Sequence, residues 1–168
     1  MRKITSNLLG AVLLLSSTMT FLGCSTVDDG SYTAPITLTE KIGGKWVVNS
    51  VTQTDETNAR TKTLTNLLDF DTFVINLNQD EAGNATTFSV EGNAPALLPT
   101  SGTWKMDYNF TKSDNTASNL LLNDGKVETS LTVTAVPGNT KTLEYRLTRK
   151  TNGQSFVSYT YNLTQAVK

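Results

Sequence analysis

The 168-residue chain contains no histidine and a single cysteine, Cys24. Without histidine, the sequence excludes the common Ser-His and Cys-His nucleophile pairs and metal sites built on imidazole. One cysteine can form neither an internal disulfide nor a zinc site built on a cysteine cluster. We therefore predict a protein that is not an enzyme and that uses no metal and no cofactor.

Charged residues are also scarce, at 17% of the chain. The tightest carboxylate groups are Asp69 with Asp71 and Asp80 with Glu81, and both flank turns in polar sequence. Two carboxylates can share acid-base work in glycoside hydrolysis, but no glycan-facing motif surrounds either group. The second group also departs from a calcium loop, because Glu81 stands where such a loop requires glycine. Both are interpreted as solvated loops.

Long apolar runs are absent. The longest, "LLGAVLLL" over residues 8–15, is shorter than the roughly 20 residues that a transmembrane helix needs. Arg2 and Lys3 precede the run and small residues follow it, which is the arrangement of an export signal. We predict a signal peptide over residues 1–23.

The cysteine follows this signal directly. "FLGC", residues 21–24, resembles a bacterial lipobox, in which the cysteine becomes the acylated N-terminus. The resemblance implies a lipid anchor on Cys24 with more than one acyl chain, since a single chain at about 0.8 kcal/mol per methylene holds weakly. The alternative is a secreted protein whose signal is cut nearby, with Cys24 left as a free thiol.

Two acids, Asp28 and Asp29, stand close behind the cysteine. They resemble the signal that Bacteroidetes-type lipoproteins use for display on the outer face of the outer membrane, although they could equally keep a tether solvated. The localisation expected is therefore the outer membrane of a Gram-negative bacterium, with surface exposure. We expect the protein to be attached to the membrane through its N-terminal lipid anchor.

Removal of the signal leaves 168 − 23 = 145 residues, which suits one domain. Residues 24–38 are polar and turn-rich and predict a tether, and residues 39–168 are the predicted domain. The mature chain has 12 basic and 15 acidic residues, a net charge of 12 − 15 = −3. No basic patch favours nucleic acid.

Apolar and polar residues alternate in short segments throughout the domain. "TWKMDYN", "KTLEYRLTR" and "SFVSYTYNLTQ" alternate most clearly, and "TNGQ" supplies a hairpin turn. Leu64, Leu67 and Leu68 instead have helical spacing and predict a short helix. About eight short sequential strands predict an all-β, up-and-down antiparallel barrel. The alternative architecture is a β-sandwich.

The domain resembles the lipocalin-like domains of Bacteroidetes-type lipoproteins of unknown function. "GKW" at residues 44–46 is similar to the lipocalin Gly-x-Trp, "SGTW" opens a middle strand, and the closing strand is rich in tyrosine. The resemblance implies structural roles for Gly44 and Trp46. In lipocalins an arginine packs over that tryptophan. Here Gln165 stands where a basic residue is expected, which leaves Arg146 or Arg149 as substitutes.

Aromatic and sulfur-containing residues fall on the predicted inward faces. Tyrosine hydroxyls require partners when buried, so these residues either fill the barrel or line a cavity for one small ligand. We predict non-catalytic binding of a small, partly apolar ligand. The candidate ligand-binding residues are Trp104, Met106, Tyr108, Tyr145, Tyr159 and Tyr161.

A second hypothesis assigns function to a loop. Residues 91–100 carry the apolar residues Ala96, Leu97 and Leu98 between two prolines. In this hypothesis a filled barrel acts as a surface interaction module, and the loop contacts an envelope protein or a glycan.

Overall fold

The structure is a computed structural model that describes residues 33–94, 98–114, 116–138 and 140–166. The chain divides into two units, Met1–Ala34 and Pro35–Lys168, and the fold described is that of the second unit. The predicted signal peptide, Cys24 and the two acids behind it lie outside the described residues. Within the described ranges, no helix has the length and apolar character needed to cross a membrane.

Among its described residues, the second unit contains one short helix, one 3-10 turn and nine strands. Their bounds are α1 Leu38–Ile42, β1 Gly44–Asp55, β2 Arg60–Thr63, the 3-10 turn Phe70–Thr72, β3 Val74–Gln79, β4 Ala85–Glu91, β5 Ser101–Met106, β6 Asn119–Asn123, β7 Glu128–Ala135, β8 Thr142–Thr151 and β9 Gln154–Gln165.

Eight of the strands form a closed antiparallel barrel. They follow one another in the order β1, β3, β4, β5, β6, β7, β8 and β9, and β9 pairs with β1. β2 is an additional strand that pairs with the last residues of β1. The predicted up-and-down barrel is confirmed, and the alternative of a β-sandwich is wrong, because each barrel strand pairs with its successor and the last pairs with the first.

Alternation places the core inside the barrel, because successive side chains of a strand point to opposite faces. The clearest rows lie between β8 and β9, where buried or half-buried residues face each other. These rows are Leu143 with Leu163, Tyr145 with Tyr161, and Leu147 with Tyr159. "TNGQ" forms the turn between the two strands, with positive φ at Asn152 and Gly153 as a two-residue hairpin turn requires.

A bulge in β1 changes which of its residues face inward. The register with β9 shifts between Val48 and Ser50. Before the shift Trp46 points into the core, and after it Val51 does. An extra residue in one strand reverses the alternation beyond it, so simple alternation along β1 assigns its second half to the wrong face.

Helix α1 closes one end of the barrel, called here the α1 end. Thr37 caps the helix with Glu40 in a capping box. The Trp46 indole N–H donates to the Ile42 carbonyl at 2.7 Å, and both side chains are fully buried. Gly44 joins helix to strand with φ +118°, a conformation that favours glycine.

The expectation that Arg146 or Arg149 packs over Trp46 is wrong. Arg146 points away from the core, where its Nε donates to Ser158 Oγ at 2.8 Å and its guanidinium pairs with Glu56. The guanidinium of Arg149 lies over the Phe156 ring, 5.5 Å from its centroid. Both arginines lie in rows far from the α1 end. Helix α1, and not an arginine, therefore covers Trp46.

The opposite end, called here the β2 end, carries β2 and the segment 64–73. The helix predicted from Leu64, Leu67 and Leu68 is wrong. Leu68 and the following Asp69 both have φ +56°, outside the right-handed helical region, and a 3-10 turn follows. Leu64 is nevertheless buried against the core.

Replacing Trp46 with phenylalanine should lower the free energy of unfolding. The change leaves the buried Ile42 carbonyl without its donor, which costs about 2 kcal/mol. Urea unfolding measures the difference, with the exposed neighbour Lys45→Gln as the control that should change little. Equal stability of wild type and Trp46→Phe would contradict the role given to this hydrogen bond.

Candidate functional site

Five of the six predicted ligand-binding residues lie in or against the barrel core. Trp104, Met106, Tyr145 and Tyr161 are buried, and Tyr159 is half-buried against the same cluster. The Trp104 indole donates to the Asn78 carbonyl at 2.7 Å, which fixes its ring within the wall. Trp104 and Met106 therefore pack in the core.

Tyr108 does not lie in the interior, contrary to its predicted inward face. The register between β5 and β6 ends at Met106 with Leu120, and β5 ends there too. Asp107 still bonds to Asn119, since its amide donates to the Asn119 carbonyl at 2.9 Å and its carboxylate accepts from the Asn119 amide at 2.7 Å. Tyr108 lies beyond the strand, so alternation no longer determines its direction. The Tyr108 side chain is 48% exposed, at the α1 end.

Three tyrosines form a column that rises from the core toward the β2 end. The rings of Tyr145 and Tyr161 stack with centroids 5.0 Å apart and an interplanar angle of 28°. Phe73 packs against Tyr161 at 5.3 Å. Tyr159 lies one inward row further, about 7 Å along the strand. The column therefore connects the centre of the barrel with its β2 end.

Tyr145 has a buried hydroxyl whose surroundings are unusual. The Tyr145 hydroxyl is buried and has no hydrogen-bond partner among the described residues. Burial raises the pKa of Tyr145 well above its ordinary value, and neighbouring Tyr161 adds to the rise. Burial also raises the pKa of Tyr161, with a further contribution from Tyr159. The two buried hydroxyls are therefore neutral at physiological pH and can serve only as hydrogen-bond donors or acceptors.

A pocket of about 430 Å³ lies at the β2 end of the column. Its size falls within the range typical of small-molecule sites. Three neighbouring strands supply its polar side, because Gln53 on β1 pairs with Lys62 on β2 and with Tyr159 on β9. The segment after β2 supplies its apolar side, through Leu64, Leu67, Leu68 and Phe70.

The apolar side is held in a strained conformation. Leu68 adopts φ +56°, which is uncommon for a bulky residue, and its side chain is 77% exposed. Asn93 fixes the turn from the next loop, since its Nδ2 donates to the Leu68 carbonyl at 3.2 Å and its backbone amide donates to Thr72 Oγ1 at 3.0 Å. Strained residues fixed by their surroundings are common in binding sites.

Sequence reasoning identified only Tyr159 among the residues lining this pocket. The leucines of the segment 64–68 were grouped by their spacing, but as one face of a helix. Gln53 was missed because the bulge in β1 reverses the alternation before it. Lys62 belongs to a strand whose residues are all exposed, so no apolar periodicity marks it.

The two carboxylate groups lie apart from the pocket lining. Asp80 organises the turn between β3 and β4 by accepting from the amides of Ala82 and Asn84, at 3.0 and 2.8 Å. Asp69 and Asp71 flank Phe70 but do not line the pocket. In the part of the chain that the structure describes, no three acidic or cysteine side chains are close enough to hold a metal ion.

The loop of the second hypothesis is described only in part. Ala96 and Leu97 lie outside the described residues. Leu98 is partly buried and packs against the core cluster. Its side chain is therefore partly in contact with the barrel core.

Comparison with known protein families gives a match for this chain. The model of a domain of unknown function, DUF5004, matches residues 20–164. The chain belongs to the DUF5004 family. Searches of curated proteins and of solved structures find no match. The function of this DUF5004 domain is therefore inferred from the column and the pocket.

Replacing Tyr145 with phenylalanine should leave the free energy of unfolding unchanged or raise it by up to about 1 kcal/mol, because an unpaired buried hydroxyl is costly. Ser158→Ala is the matched control, since its buried hydroxyl accepts from Arg146 and donates to Glu56. That variant should lose about 1 kcal/mol. Urea unfolding that gave the same loss for both variants would show that the Tyr145 hydroxyl has a partner.

Proposed function

We propose that the mature chain is a lipid-anchored, non-catalytic binding protein of the cell envelope, whose barrel takes one small, partly apolar ligand at the β2 end. The observation that carries the proposal is the pocket of about 430 Å³ at the head of the tyrosine column. Four apolar side chains meet three polar ones there, which is the composition of sites that bind and orient small molecules.

The polar side of the pocket favours a ligand with one anionic group. Lys62 is the sole charged residue among those lining the pocket, and it has no ion-pair partner among the described residues. Gln53 and the Tyr159 hydroxyl stand in the same row as further hydrogen-bonding groups. An apolar body would contact the leucines and Phe70, and an anionic head group would face Lys62.

The fluorescent fatty acid parinaric acid is a suitable probe, because it combines an apolar chain with a carboxylate. Titration should give saturable binding with one site. Tyr159→Ala should weaken binding by roughly tenfold, equivalent to about 1.4 kcal/mol. Tyr108→Ala is the matched control, since that tyrosine lies at the α1 end and should leave the affinity unchanged. Equal affinity of both variants and wild type would contradict the proposed site.

The methyl ester of parinaric acid tests the charge preference. Lys62→Gln should weaken binding of the acid by about fivefold, the upper end for an exposed ion pair. The ester lacks the negative charge, so its affinity should not change. Lys126→Gln, an exposed lysine outside the pocket lining, is the control. Equal losses for acid and ester would show that Lys62 contributes through packing rather than charge.

The lipid anchor requires its own test, since it rests on the sequence "FLGC". Metabolic labelling with an alkynyl fatty acid in the native host should label the wild-type chain and place it in the outer-membrane fraction. Cys24→Ser should remove the label and release the protein from that fraction. An unlabelled wild-type protein would contradict lipidation but would leave the pocket proposal standing.

A further inference from the structure

The wall of the barrel is incomplete between β7 and β8 near the β2 end. Their register comprises Ala135 with Glu144, Val133 with Tyr145 and Thr132 with Arg146, and it ends there. β7 nevertheless begins at Glu128, and β8 continues to Thr151. Residues 128–131 and 147–151 therefore extend past the last paired row without pairing to each other.

A notch of about 740 Å³ lies between these two segments. Residues of both strands line it, and Leu98 and Pro99 from the loop before β5 line it as well. None of its lining residues belongs to the ligand pocket. The notch is therefore a separate surface feature, on another part of the barrel wall.

Hydrogen-bond alternation shows which backbone groups face the notch. The Gln165 amide donates to the Lys141 carbonyl, so alternate residues of β8 from Lys141 onward direct their backbone groups to β9. The residues between them direct theirs to β7, as the Arg146 pairing with Thr132 shows. Thr148 is the next such residue, and its N–H and C=O face the notch.

The same reasoning applies to β7. The Val133 amide donates to the Ser118 carbonyl, on the side of β6. Residues one step away therefore face β8, and Ser130 follows Thr132 in that series. Both borders of the notch thus present backbone donors and acceptors, which is the chemistry that an added extended strand satisfies.

The side chains around the notch favour particular residues in such a strand. Leu98 and Leu147 supply apolar contacts near the core, and Val127 is 62% exposed at the border. The acids of the notch are already engaged. Glu128 pairs with Lys105 at 3.3 Å, and Asp124 accepts from the amides of its own turn.

The cations of the notch have no acidic partner in the part of the chain that the structure describes. Arg149 stacks on Phe156, and neither Arg149 nor Lys150 has an ion-pair partner among the described residues.

We propose that the notch binds an extended peptide of a partner protein, which pairs with the free edge of β8 from Leu147 to Lys150. Acidic side chains of that peptide lie on its outer face beside Lys150, and apolar ones on its other face lie toward Leu98 and Val127.

The test is amide NMR of the full chain with a short peptide that alternates valine and aspartate and is blocked at both ends. Amide shifts should change in residues 128–131 and 147–150. β2 has another free edge, at Arg60–Thr63, and its amides should not change. The same peptide with an N-methyl group on every amide cannot donate to a strand edge, so it should not bind.

Two variants separate the backbone and charge contributions. Thr148→Pro removes an N–H that faces the notch and should abolish binding, while the hydrogen bonds of β8 to β9 remain. Lys150→Glu should weaken binding by about fivefold and is independent of any effect of proline on folding. Lys141→Glu, an exposed lysine at the α1 end, is its control.

Three outcomes would overturn the proposal. The first is an absence of shift changes at the notch, and the second is a set of changes confined to β2. The third is equal binding of the N-methylated peptide, because that peptide cannot pair with β8. None of these outcomes bears on the ligand pocket, since the pocket and the notch share no residue.

Discussion

The long ladder between β1 and β9 joins the two ends of the domain and closes the barrel. It runs from Trp46 with Gln165 to Asp55 with Val157, past the bulge near Val48. Because β9 also pairs with β8 along its length, Tyr161 lies between Val51 and Tyr145 in one row. The column, the pocket above it and the covering helix below it all depend on this closure.

The sequence predicted the barrel well because most of its strands alternate and their turns are short. Alternation in "KTLEYRLTR" predicts an inward Tyr145, and the structure buries that tyrosine together with Leu143 and Leu147 on the same face. Alternation failed at Tyr108, where the sheet ends before the pattern does. It also failed past Val48, where a single bulge residue reverses the faces. Both failures depend on pairing partners, which a strand does not encode in its own sequence.

The sequence predicted the tyrosine column of the candidate site but missed most of the pocket lining at the β2 end. Buried tyrosines are visible in a sequence because they occupy inward positions where leucine is commoner. The pocket lining combines Lys62 of the edge strand β2 with the turn at Leu68, which Asn93 of another loop holds in place. Contacts between residues so far apart in the chain have no periodic signal, so Lys62 and Leu68 could not be assigned to one pocket.

The most direct measurement is native mass spectrometry of the mature protein extracted from its own cell envelope in mild detergent. If the barrel takes one small ligand, a population should carry one added small-molecule mass that is lost on gentle activation and is absent when Tyr159 is replaced by alanine. A wild-type protein that carries no added mass, or one bound only to a second polypeptide, would contradict the barrel as a ligand-binding site.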